Sequence, residues 1–526
     1  MSQVKEAPEL TNRLVTLREP VVVTAPRPNP ERRQSPPVVL VVALVLLGIG
    51  LRAVPLLGDR NLWIDEAMLA LNIVERSASG LTQPLDWNQG APVGFLMATK
   101  AAVEMFGASA FALRLVAFAA SALGVIAFGW LVTRMLPSAA ATFALLLYAI
   151  SPHAISYAAE CKQYASDAAI AIGLFAVSLR LLQGEGCRGR WVSLAVAGAV
   201  AVWFSHPSVF VLGGIGSALL LHALMAKDRT RFLAAGATVA TWLFSFAVCY
   251  VLFLKQLGQS KYLIDYWNGH FLPLNPSLVV TWLLDHYFAV FAYPGGLGGT
   301  EIRAGGIAAA LFAVGVWGFG KERWPLALAL VLPAVLAVGA SGVQKYPFSG
   351  RLLLFLVPLL VIGVARGAWM VGAALRPTVP FAAFALLGVL TAAPALETIQ
   401  EFRRPLRYEQ ITPVIEAVRG EWQPDDRMYV YYGAIPAFTF YTRGNPFPSD
   451  AVTLGTEARE DRLIYRDEIA AFKGRPRVWV VFSHRHKDEE SLVRAYAESH
   501  GECLRTVKQP GAAAYLFDFS GTTVAR

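Results

Sequence analysis

Apolar runs of about 20 residues recur along this chain, the first from Val38 to Leu57, and that is the length an α-helix needs to cross a bilayer. In lipid every backbone polar group must be satisfied within its own segment, so helices are the expected spanning elements. Composition agrees. Of the 526 residues, 55% are hydrophobic and 16% charged, against about 25% charged in an average soluble domain. Mean hydropathy is +0.48. The pattern predicts roughly eleven spans, near 38–57, 110–134, 138–156, 164–183, 191–205, 207–226, 232–256, 303–320, 325–341, 350–366 and 377–395.

The formal charge of +9 is modest for a chain this size. No clustered basic-aromatic surface accompanies it, so no nucleic-acid partner is expected. Cys161, Cys187, Cys249 and Cys503 are scattered, without metal spacing or a disulfide framework.

Residues 91–106 are apolar but short, and they contain Lys100 and Glu104. They read as a helix lying in the membrane interface. With that segment on the surface, Arg134, Arg180, Arg188, Arg190, Lys227, Arg229, Arg231, Lys321, Arg323, Arg366 and Arg376 all fall on one side, with the basic N-terminal tail. The positive-inside rule makes that side cytoplasmic. Three parts follow: a proline-rich disordered cytoplasmic tail (1–37), an all-α polytopic membrane domain (38–395), and an extracytoplasmic part (396–526). In the last, Arg427–Tyr432 and Arg477–Phe482 alternate like strands between helical stretches, the mark of a small soluble α/β domain.

The external side carries the residues suited to chemistry. Asp65 and Glu66 stand together shortly after the first span. Glu160, Lys162 and Tyr164 lie where the chain re-enters the membrane, and ionisable residues there usually face a cavity or a partner. His206 sits in a tight turn before Pro207, as a cap or as a binding residue. Lys345 and Arg351 flank the outer edge of a late span. They either snorkel to headgroups or clamp a phosphate, Arg with a fork of donors and Lys as a point charge.

Four features together resemble the GT-C superfamily of polyprenyl-phosphate-sugar-dependent glycosyltransferases, as in protein O-mannosyltransferases and lipid A aminoarabinose transferases. They are Trp63-Ile-Asp65-Glu66, Gly90-Ala-Pro-Val-Gly-Phe95, Ser151-Pro152 leading into Tyr157–Tyr164, and Gly350-Arg351 ahead of Pro358. Lys162 stands where the family pattern has arginine, and Ala91-Pro92 where it has Pro-Pro. The resemblance implies sugar transfer from a lipid phosphate to an acceptor hydroxyl, usually with inversion, on the external face of a bacterial inner membrane. Asp65 would be the base and Glu66 would orient it or the acceptor. Lys162 and Arg351 would stabilise the leaving phosphate, and Glu160 would hold Lys162 or the sugar. The implied partners are a polyprenyl-phosphate-linked sugar donor, membrane lipids, and a glycan, glycolipid or protein acceptor. No cofactor is required, and the paired carboxylates leave a divalent cation open.

Two rival readings remain. A transporter or flippase of a lipid-linked sugar predicts charges at mid-membrane depth or inverted repeats. A non-catalytic scaffold presenting the C-terminal domain leaves the acidic and basic clusters unused.

Overall fold

The computed structural model describes residues 36–299, 302–379, 381–403 and 409–521. The expected N-terminal tail lies almost wholly outside them. Among the described residues, eight helices are long and apolar enough to cross a membrane, or nine if one bent pair forms a single span. The chain is a mostly helical integral membrane protein with a small α/β domain at its C-terminal end.

The first ten helices run α1 (Val38–Leu57), α2 (Ile64–Glu75), α3 (Val93–Phe106), α4 (Ala110–Met135), α5 (Ser138–Ala149), α6 (Pro152–Ser156), α7 (Tyr164–Leu182), α8 (Arg188–Phe204), α9 (Ser208–Met225) and α10 (Arg229–Cys249). The late apolar helices are Gly305–Gly342, Val357–Leu375 and Ala382–Arg403. Two of the expected spans need separate description. α8 has 17 residues and carries Arg188 and Arg190 in its first turn. The stretch Gly305–Gly342 holds two helical segments that meet at a kink at Arg323 (φ −152°, ψ 68°), between the two stretches expected as separate spans. The final helix runs on to Arg403, past the expected domain boundary at 395.

α3 has 14 residues, so it is roughly 21 Å long. It is too short for the ~30 Å hydrocarbon core, as its length in the sequence suggested. α5 and the segment 152–159 meet at a bend of 54°. Pro152 opens the second helix, and the break frees carbonyls at the end of α5. Arg52, wholly buried in α1, supplies the missing donors: it gives hydrogen bonds to Tyr148 O (3.0 Å) and Ala149 O (3.1 Å) and to Ser121 Oγ (2.9 Å). A buried charge is tolerated where its hydrogen bonds are met in this way.

The C-terminal sheet comprises β1 (Arg427–Val430), β2 (Val452–Leu454), β3 (Val478–Ser483), β4 (Glu502–Gln509) and β5 (Ala512–Asp518), in the order β2-β1-β3-β5-β4. β1 is parallel to β2 and β3; β5 is antiparallel to β3 and β4. β3 is buried along its whole length, as a central strand covered on both faces should be. One face packs on Leu463–Ala470 and Glu489–His500 through Tyr431, Val480, Phe482 and Tyr515. The other does not close on itself. Met428, Val430, Phe438 and Trp479 share one core with Ala67 and Leu71 of α2, Phe95 of α3 and Leu113 of α4. α2 is therefore held between the membrane helices and the sheet domain.

Candidate active site

α2 begins at Ile64, so Asp65 and Glu66 occupy its first turn, where carboxylates suit the positive end of the helix. Adjacent residues on a helix point about 100° apart, and here the two acids part company. Glu66 turns inward and is fully buried. Arg114 of α4 grips it through two bonds, Nε to Oε1 at 2.9 Å and Nη2 to Oε2 at 2.7 Å. The N–H of Cys161 also donates to Glu66 Oε1 at 2.7 Å. Burial raises the Glu66 pKa, but Arg114 outweighs it and the net shift is downward, so Glu66 stays ionised. Arg114 then ties the entry to α2 with bonds to Arg60 O and Asn61 O. Both carboxylate oxygens of Glu66 are thus engaged by protein donors.

Asp65 turns the other way, half-buried. Arg351 donates to it through Nη2 at 2.6 Å. The guanidinium lies over the rings of Trp63 and Tyr164, 5.2 and 5.6 Å from their centroids, a stacking that suits a planar cation. The chain before Arg351 turns through Gly350 at φ +53°, where a Cβ would meet the ring of Tyr293 at 3.0 Å. Glycine is required there on both counts.

Lys162 is buried and donates to Gln89 Oε1 at 2.6 Å. Burial lowers its pKa, while the charge of Asp65 supports its protonated form and that of Arg351 opposes it. Glu160 lies beside them, with Oε2 buried and lacking a hydrogen-bond partner. Burial, then repulsion from Glu66, pushes its carboxyl up to about 7. Buried polar atoms are normally satisfied, yet around this space Trp63 Nε1, Glu160 Oε2, Gln163 Oε1 and Ser166 Oγ have no protein partner.

Asp65, Glu160, Lys162, Tyr164 and Arg351 therefore converge. Among the described residues, neither His206 nor Lys345 makes a hydrogen bond or ion pair with these five. Burial alone holds the His206 imidazole down to about 4, so it is neutral at physiological pH and offers a phosphate no charge. Lys345 is exposed and donates to Gly258 O at 2.9 Å. Sequence reading missed Arg114, though an arginine five residues into an apolar run is itself a signal of a buried partner. It also missed Trp63 and Gln89 as site residues, for which the sequence carries no distinguishing signal.

From this end of α7 an apolar crevice of about 540 Å³ runs between α3, α4, α7 and α8. Ser166, Ile170, Gly173 and Val177 line it from α7 and Phe95 and Phe204 from the facing helices. From Ser166 to Val177 it follows α7 for roughly 16 Å. Ser166, two residues past Tyr164, is the polar side chain in its lining. Among the described residues, no three His, Cys, Asp or Glu side chains converge to hold a metal, and the two α2 carboxylates are each taken by an arginine.

No protein-family model and no curated protein matches the chain. Solved structures match its fold. ArnT, the lipid A aminoarabinose transferase of Cupriavidus metallidurans, solved in the apo state and bound to undecaprenyl phosphate, superposes with a TM-score of 0.53 at 16% identity, over 91% of this chain and 97% of that one. The Archaeoglobus fulgidus oligosaccharyltransferase matches with a TM-score of 0.52 at 12% identity, over 91% of this chain and 74% of that one. Its complex with zinc and sulfate gives 0.51 at 12% identity, over 90% and 72%. Both neighbours have the GT-C fold, and at these identities the likeness is one of fold.

Proposed function

We propose that this chain is an integral-membrane glycosyltransferase that moves a sugar from a polyprenyl phosphate to an acceptor hydroxyl on the extracytoplasmic face of a bacterial inner membrane, with inversion. The observation that carries the reading is the Asp65–Arg351 ion pair, with Lys162 beside it, at the same end of α7 as Ser166, where the apolar crevice begins. A lipid phosphate has that same division: a long apolar tail and an anionic head, whose charge grows as the sugar leaves. The binding of undecaprenyl phosphate by the fold neighbour ArnT supports it.

In the proposed reaction the acceptor oxygen attacks the anomeric carbon and the carbon–oxygen bond to the phosphate breaks, the electron pair leaving with the lipid phosphate. Asp65 takes the acceptor proton, which requires hydrogen-bond reach. Arg351 and Lys162 meet the charge that develops on the leaving phosphate, as preorganised donors do. Arg351 serves both groups in turn: it pairs with Asp65 at rest, and an incoming phosphate draws it away and frees the base. Glu66 is a positioning residue, fixing the first turn of α2 through Arg114. The fold neighbour solved with zinc keeps a divalent cation compatible with this fold, and the roles proposed for Arg351 and Lys162 do not depend on one.

The direct test is binding to the purified full-length protein. Undecaprenyl phosphate is expected to bind at least about tenfold more tightly than undecaprenol, the same tail without the charge. Equal affinity for the two would contradict a phosphate site.

A further inference from the structure

The start of α7 carries three buried side chains whose oxygens lack a partner. Gln163, Ser166 and Asp167 are 7, 6 and 5% exposed. Gln163 Oε1, Ser166 Oγ and Asp167 Oδ1 have no hydrogen-bond partner among the described residues. Asp167 N–H donates to Gln163 O at 2.9 Å, so Gln163, just ahead of α7, already belongs to the helical ladder. It stands three residues before Ser166 and four before Asp167. Residues at those spacings are neighbours on a helix surface, with Cβ atoms about 5–6 Å apart. The three oxygens therefore share one face of one helical turn.

That face is the one α7 turns to the apolar crevice. Seven residues make nearly two turns, so positions seven apart lie along one stripe of a helix. Ile170, Gly173 and Leu174 line the crevice, and they stand seven residues after Gln163, Ser166 and Asp167 in turn. Ser166 is itself in the lining. The wall that α7 supplies is thus apolar along Ile170, Gly173, Leu174 and Val177, and its stripes turn polar about 10 Å nearer the start of the helix. This polar end adjoins the Asp65–Arg351 pair: the ring of Tyr164, between Gln163 and Ser166 in the chain, lies 5.6 Å from the Arg351 guanidinium.

The chemistry of these oxygens separates them from a phosphate. Arg351 and Lys162 are donors, as an anion requires. An amide oxygen and a carboxylate accept, and a hydroxyl does either, so an ionised phosphate has nothing to give them. A sugar does, because each free hydroxyl is a donor. Leaving a buried acceptor unpaired costs free energy, and a polyhydroxyl group seated here removes that cost. In a lipid-linked donor the sugar is joined to the phosphate, so a phosphate between Arg351 and Lys162 carries the sugar toward the start of α7. The apolar rings of Phe95 and Phe204, from the facing helices, are left to the lipid tail. We infer that Gln163, Ser166 and Asp167 form the subsite for the donor's sugar and select sugars with free hydroxyl groups on the side that meets α7. The inference rests on the proposed glycosyl transfer and names the part of the chain that reads its donor.

The test compares full-length D167L, D167N and Q163M with the unmodified protein. Two quantities are read. One is the initial rate of glycan formation when purified protein is added to membranes of a host strain lacking the gene, which hold donor and acceptor. The other is affinity for undecaprenyl phosphate, a probe that carries no sugar. D167L removes an acceptor for a sugar hydroxyl and is expected to lower the rate about tenfold or more, while binding undecaprenyl phosphate within about twofold of the unmodified protein. D167N keeps an oxygen at that place and is expected to recover most of the rate. A packing defect in D167L would not spare the lipid phosphate. An unchanged rate in D167L, no recovery in D167N, or a parallel loss of undecaprenyl phosphate affinity overturns the inference. If D167L does not accumulate, Q163M decides, since it nearly keeps the volume and removes the amide oxygen. A rate about threefold or more below the unmodified protein, with retained affinity, supports the subsite, and an unchanged rate overturns it. The two levels fail differently. If the unmodified protein binds undecaprenyl phosphate no better than undecaprenol, the glycosyl-transfer reading fails and the subsite with it. If that preference holds and D167L works at the full rate, the subsite alone fails.

Discussion

Arg351 donates to Asp65 at 2.6 Å across 286 residues of chain, and it does so from a stack between Trp63 and Tyr164. The pair joins the start of α2 to the start of a late span, so it links the two ends of the membrane domain. Neither partner is deeply buried: the side chains are 24% and 20% exposed. The pair can therefore open to a ligand without stranding a charge in lipid.

If Arg351 is shared between Asp65 and the phosphate, its removal affects binding first. R351A is expected to weaken undecaprenyl phosphate affinity about 10- to 100-fold, in line with the loss of a charge-assisted bond of about 1.5–3 kcal/mol. R351K is expected to recover only part, because a point charge cannot reproduce the fork or the stacking. Titration calorimetry in detergent measures both. Unchanged affinity in R351A would remove Arg351 from the phosphate site.

Glu160 makes that binding depend on pH. Burial and the neighbouring Glu66 raise its carboxyl to about 7. It is neutral below that value and adds a negative charge to the site above it. Undecaprenyl phosphate affinity is expected to fall as pH rises through about 7 in the unmodified protein. In E160Q the fall is expected to be smaller, and comparing the two removes the phosphate's own ionisation. Identical pH profiles would place Glu160 away from the phosphate.

Glu66 and Arg114 carry a structural prediction. Breaking a buried ion pair from one side leaves an uncompensated charge and costs about 3–5 kcal/mol. R114M is expected to lower the thermal midpoint of the purified protein strongly. The double variant E66Q/R114M, which removes the stranded charge, is expected to regain part of the loss. Thermal unfolding in detergent reads both, and a double variant worse than R114M would contradict the pairing.

The crevice offers a way to separate tail from head. Gly173 lies on its wall, with open space where a Cβ would stand. G173L fills part of the channel, and displacing even a few buried methylenes at about 0.8 kcal/mol each weakens binding about tenfold or more. Undecaprenyl phosphate is expected to lose that affinity, whereas geranyl phosphate, with its short tail, is expected to change little. Equal losses for the two would mean that the tail does not use this channel.

Much of this was readable in the residues. Runs of apolar residues located the membrane helices, and the short run ending at Phe106 marked α3 as unable to span. The Asp65-Glu66 pair stood out beside Trp63. Sequence could not say that one acid faces a cavity and the other an arginine, because the residues are adjacent and depth is set by what packs on α2. The break at Arg323 falls between two expected spans, whereas the 54° bend inside the expected span 138–156 depends on local geometry that hydropathy does not register. His206 and Lys345 looked as suitable as Lys162, and only the packing separates them. The contacts from Tyr441 and Thr412 to the start of α2 cross 379 and 351 residues, a separation at which a single sequence carries no local pattern.

Whether Asp65 is the base for sugar transfer from a polyprenyl phosphate is decided by mass spectrometry of envelope glycans, in a strain lacking the gene and supplied with either the unmodified protein or D65N. The glycan is expected to return with the unmodified protein and to stay about 100-fold or more below that level with D65N, while purified D65N still binds undecaprenyl phosphate. A D65N strain with a normal glycan profile would contradict it.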